Sequence, residues 1–82
     1  MQKRSLYELA NVIIHDAKGK PFYNYASGYV EAMRTLRNIN DSYGYDDGET
    51  IVVYALSNLA SWRGETAKQV KAELRLHLRE VN

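Results

Sequence analysis

The apolar positions of the chain fall into four helical repeats separated by polar breaks. Leu6, Leu9, Ala10, Ile13 and Ala17 recur at intervals of three and four, which collects them on one helical face. Ser5 and Glu8 have capping-box spacing, and Gly19 followed by Pro21 forbids continuation, so a first helix is predicted over about 6–18. Phe22-Tyr23-Asn24-Tyr25 then reads as an extended or irregular lead-in. Ala26, Tyr29, Val30, Met33, Leu36 and Ile39 predict a second helix over about 26–40, with Gly28 weakening its start. The stretch NDSYGYDDGE, residues 40–49, reads as a loop in which Asp46 or Asp47 caps a third helix over about 48–62. Gly64 closes that helix at a tight corner. A fourth, over about 65–80, carries Ala67, Val70, Leu74, Leu78 and Val81 on one side.

The third element is the most apolar. Across Ile51–Trp62 the hydrophobic residues cover more than half of the helical circumference, leaving only Tyr54, Ser57, Asn58 and Ser61 as a polar strip. So wide an arc predicts a helix wrapped by the others. The expected fold is all-α: one domain over residues 1–82, a compact four-helix arrangement with helix 3 in the middle. Helices 3 and 4 form a hairpin against helices 1 and 2. The expected core is Leu6, Leu9, Ile13, Tyr29, Met33, Leu36, Val52, Leu56, Leu59, Trp62, Val70, Leu74 and Leu78. If helix 3 is central, Leu56→Ala should destabilise by ~2–5 kcal/mol.

Composition narrows the function more than the fold. At 82 residues, with 45% hydrophobic and 26% charged side chains, the chain is of a size and balance to build one core. It has no cysteine, which removes disulfides, thiolate zinc sites and cysteine nucleophiles. The formal net charge of +1 is too small to hold the whole molecule on a polyanion, so any electrostatic function needs local segregation of charge. Met1-Gln2-Lys3-Arg4 is not followed by an apolar signal region, and no apolar run reaches the ~18 residues of a membrane span. A cytoplasmic protein without membrane contact is expected.

The candidate chemistry is sparse. His15 and His77 lie in different helices without a neighbouring nucleophile, and Glu73, one turn before His77, is its expected partner. Neither glycine of the acidic loop aligns the acids as a calcium loop, so no metal, no cofactor and no enzymatic activity are expected. Lys68, Lys71, Arg75 and Arg79 form a basic stripe on helix 4, with Glu65, Glu73 and Glu80 beyond it. Its sharper reading is a helix-turn-helix in which helix 4 meets nucleic acid; the plainer one is a solvated face. Tyrosine is the unusual residue, seven in all. Tyr23, Tyr25, Tyr43 and Tyr45 fall in connecting segments, and Tyr54 and Asn58 on the polar strip of helix 3. These six are the candidates for protein contact. Leu76, facing out among the acids, hints at a homo-oligomer.

Tyr25-Ala26, Tyr29-Val30-Glu31-Ala32-Met33, Ile39-Asn40-Asp41, Tyr43-Gly44, Leu56-Ser57-Asn58, Trp62-Arg63-Gly64-Glu65 and Val70-Lys71-Ala72-Glu73-Leu74 carry a resemblance. From about Tyr25 onward the chain resembles a family of small uncharacterised proteins of bacteriophages, prophages and other bacterial mobile elements. The resemblance implies a setting rather than an activity: a small accessory protein in the cytoplasm of a bacterial host, one that blocks a host defence. The function expected is therefore that of a non-enzymatic protein-interaction module of a phage or mobile element, an inhibitor of a host defence complex of the anti-CRISPR kind. Its partner would be a host or phage protein. The alternative is a nucleic-acid-binding accessory or regulatory protein using the basic face of helix 4.

Overall fold

The structure, a computed structural model, describes residues 3–81. Four helices, α1 (Leu6–Ala17), α2 (Tyr23–Met33), α3 (Gly48–Asn58) and α4 (Glu65–Leu78), are joined by turns and one small hairpin. The mostly helical class is the expected one. In α1 the capping box is formed: the Ser5 hydroxyl accepts from the Glu8 amide and the Glu8 carboxylate accepts from the Ser5 amide, both at 3.1 Å.

Helix 2 departs from expectation at both ends. Its first turn is the segment read as an irregular lead-in, started by Pro21, whose carbonyl accepts from the Asn24 amide at 3.3 Å. Pro21 itself lies in the turn just before the cap, Phe22, where its fixed φ suits the approach to the helix. Tyr23 thereby joins Ala26, Val30 and Met33 on the buried face. At the other end the helix stops at Met33, not near residue 40. Leu36 and Ile39 still reach the core, from turns in which the Thr35 and Leu36 amides donate to Ala32 and Met33. A spacing of three is common to helix and to such turns, so periodicity alone could not separate them.

The loop also holds structure. β1 (Ser42–Tyr43) pairs antiparallel with β2 (Asp46–Asp47), and Gly44 takes φ 64° at the first loop position. The hairpin delivers Asp47 as the cap of α3, its carboxylate accepting from the Thr50 amide at 2.8 Å. Gly48 then passes so close to the preceding chain that a Cβ there would lie 2.4 Å from the Ile39 carbonyl oxygen. Its amide donates to the Asp41 carbonyl at 2.8 Å.

Helix 3 ends at Asn58, not at Trp62, with Leu59 as its cap. Nor is it wrapped. Ile51, Val52, Ala55 and Leu59 are buried, while Val53 and Tyr54 are exposed and Leu56 is half-buried. The molecule extends 32 × 29 × 17 Å. At interaxial distances of about 8–10 Å, the short axis holds at most two helix layers, so each helix keeps an outward face. Helix 3 packs most extensively on α2, and α1 bridges α2 and α4; the expected α3–α4 hairpin is a narrower contact.

Trp62 is buried in the connector after α3, where its indole donates to Asp16 at 2.7 Å and ties that connector to α1. Of the expected core, Tyr29, Leu56 and Leu78 are only partly buried against the cluster, and the rest are inside it. Two further side chains of α4, outside the expected core, are buried: Glu73 and His77. Leu76 is half-buried rather than facing out.

Candidate interaction surfaces

The first surface lies on the outer faces of α2 and α3. Tyr54 projects from α3 and tilts against Tyr29 of α2, ring centroids 5.5 Å apart at 51°. Tyr25, one turn before Tyr29, is 75% exposed. Beside Tyr54, a shallow open concavity of about 240 Å³ is lined by Glu49, Thr50 and Val53 together with the tyrosine. The hairpin feeding α3 carries Tyr43, half exposed, and Tyr45, wholly exposed. It packs at the start of α3, so these rings stand at the N-terminal end of the helix that bears Tyr54.

Two of the six protein-contact candidates change meaning. Tyr23 is buried, and desolvation raises its phenol above its ordinary value. Its spacing with Ala26, Val30 and Met33 is the signal that could have marked it as core. Asn58 is half-buried, its amide donating to the Tyr54 carbonyl at 2.8 Å, so the pair serves the helix backbone. Tyr7, also exposed, lies under the Arg34 guanidinium, 5.8 Å from it. Arg34 in turn pairs with Glu31 at 3.2 Å.

The second surface is the outer face of α4. Lys68, Arg75 and Arg79 are exposed there, and Arg63 is exposed in the connector before the helix. Of the acids expected beyond the stripe, Glu65 is exposed in the first turn of α4, and Glu73 and Glu80 are engaged by the N-terminal segment. Glu73 is turned inward, where Arg4 meets it three times: from its backbone amide at 2.9 Å, Nε at 3.0 Å and Nη2 at 2.7 Å. That grip, led by the guanidinium hydrogen bonds, holds the Glu73 carboxyl below the usual carboxylate range. Glu80 pairs with Lys3.

His77 does not pair with Glu73 as expected. Its Nε2 donates to the Arg4 carbonyl at 2.7 Å, and Nδ1 has no hydrogen-bond partner among the described residues. The ring thus helps to hold residues 3–5 as a strap along α4. Neither Lys3 nor Arg4 was marked by sequence reasoning. A carboxylate at the edge of the apolar stripe, three residues from Val70, was the clue that a cation had to reach it.

Lys71 behaves differently from the rest of its stripe. It is half-buried, and its ammonium donates to the Trp62 carbonyl at 2.6 Å. Burial lowers its ordinary value, and the charges of Arg75 and Arg63 lower it further. The helix-turn-helix reading fails on geometry. Helix 3 ends at residue 58 and α4 begins at 65, so six residues intervene where that motif uses three or four.

Among the described residues, no three His, Asp or Glu side chains converge on a point that could hold a metal. Asp41 is occupied by the backbone amides of Arg37 and Ser42, which hold it below its ordinary value together with the Arg37 side chain. No described helix is long and apolar enough to cross a membrane. Comparison of the chain with family models, curated proteins and solved structures finds no match.

Proposed function

We propose that the protein is a non-enzymatic protein-interaction module of a phage or mobile element, acting in the bacterial cytoplasm to inhibit a host defence complex. The observation that carries this reading is the open aromatic face in which Tyr54 stands on Tyr29, with exposed Tyr25 and Val53 nearby. Rigid amphipathic rings of this kind supply contact area at low conformational-entropy cost and anchor protein interfaces. The test compares wild type with the Tyr25→Ala/Tyr54→Ala double variant on host lysate and in a strain with an active CRISPR effector. A stoichiometric partner and relief of interference, both present with wild type and lost with the variant, support it. Equal behaviour of the two proteins ends it.

A second reading, nucleic-acid binding through α4, is favoured by one observation. Glu73 and Glu80 are engaged by the strap, which leaves the cations less compensated than the net charge of +1 implies.

A further inference from the structure

We propose that Arg63, Lys68, Arg75 and Arg79 contact the phosphate backbone of a nucleic acid, and that Lys71 is a positioning residue that holds their platform together. This rests on the second reading above and changes its cast: Arg63 enters and Lys71 leaves the contact set.

At 100° per residue, Lys68, Arg75 and Arg79 fall within about 40° of one another and span roughly 16 Å of helix axis. Arg63 joins them at the connector, because the Lys71 ammonium is bonded to the carbonyl of the residue before it. None of these four cations takes part in an ion pair among the described residues. Lys68, Arg75 and Arg79 have no carboxylate on the helix face between them, Glu65 lying a turn before Lys68; like charges so gathered repel, and an anion relieves that repulsion.

Two features favour phosphate over an acidic protein. Three of the four are arginines, whose planar fork matches phosphate oxygens in pairs. The face also lacks an aromatic anchor: among the described residues, every exposed large hydrophobic side chain lies on α1, α2, α3 or the hairpin. A protein partner would need such an anchor at the centre of its contact, whereas a phosphate backbone does not. Glu65 in the first turn of α4 disfavours insertion of that end among bases, so the contact is with backbone and indifferent to sequence.

The experiment is fluorescence anisotropy with a labelled 20-nucleotide oligothymidylate and a mixed-sequence 20-base-pair duplex, each titrated from 50 to 300 mM NaCl. Four phosphate contacts predict a log–log salt slope of about −3 for the single strand and about −3.5 for the duplex. Arg63→Gln and Arg75→Gln should each flatten the slope by about one contact and leave the melting temperature unchanged. Lys71→Met should lower the melting temperature while changing the slope less than either. No binding to either probe at 50 mM salt overturns this inference and the second reading together. Binding with an unchanged slope in both arginine variants overturns only the assignment. A labelled poly-glutamate peptide that binds as tightly as the oligonucleotides makes the face an acidic-protein site and overturns it as well.

Discussion

The α2–α3 face and the α4 face are built on opposite principles. The first offers tyrosine rings and Val53 with Glu49 at its edge; the second offers arginine and lysine with no exposed aromatic among them. The difference comes from what each helix does with its polar side chains. Helix 3 uses Ser57 and Asn58 on its own carbonyls, so its exposed surface is left to larger, less polar groups. Helix 4 and the residues just after it hand Glu73 and Glu80 to the strap, so past Glu65 its exposed surface is left mainly to cations. Surface character here follows from which polar groups the fold has already consumed.

Five substitutions probe that contrast. Leu59→Ala, at a wholly buried position where α3 ends, should destabilise by ~2–5 kcal/mol. Leu56→Ala should cost clearly less because Leu56 is half-buried, and equal losses in denaturant unfolding would mean that α3 is enclosed after all. Gly48→Ala should cost about 3 kcal/mol, since its Cβ meets backbone rather than a movable side chain. It should loosen the hairpin and the start of α3 while sparing α4, a pattern that amide hydrogen exchange resolves.

Glu73→Gln should cost about 1–3 kcal/mol at neutral pH by weakening the strap. The sign with pH follows from the depressed carboxyl: the unfolded chain, with its ordinary value near 4.3, takes up the proton first as pH falls. The stabilisation is full above that value and is lost as pH drops through the lower folded one. The variant should therefore show a shallower loss of stability between neutral pH and pH 3. An identical acid profile would assign the effect to other depressed carboxyls such as Asp41 and Asp47. Tyr54→Ala should have the smallest effect on stability, under about 1 kcal/mol, because the ring is half exposed and packs on one neighbour. A larger loss would make the tyrosine pair a structural seal rather than a contact surface.

Local chemistry was the legible part of this sequence. The Ser5–Glu8 box, the aspartate before α3 and the apolar stripe of α4 each declare themselves within a few residues, and each is present. The start of α2 was misread because aromatic residues beside a proline suit an extended chain as well as a helix. The hairpin was missed because strands of two residues are too short to show alternation. The wide apolar arc of α3 overstated its enclosure, since two packed layers leave one side of every helix open. Among the surfaces, Tyr25, Tyr43, Tyr45 and Tyr54 are exposed, whereas Tyr23 belongs to the buried side of a helix turn that was not foreseen. The strap was out of reach for another reason: Arg4 and Glu73 are 69 residues apart, and nothing local to either names the other.

That separation sets an order of events during synthesis. Arg4 is made early, yet its carboxylate and imidazole partners stand 69 and 73 residues downstream. At about 5–20 residues per second, their translation follows roughly 4 to 14 seconds later. Until α4 is available, α1 rests chiefly on α2, its leading residues ungripped. The strap is therefore a late clasp, closing only after α1 and α2 have had time to meet.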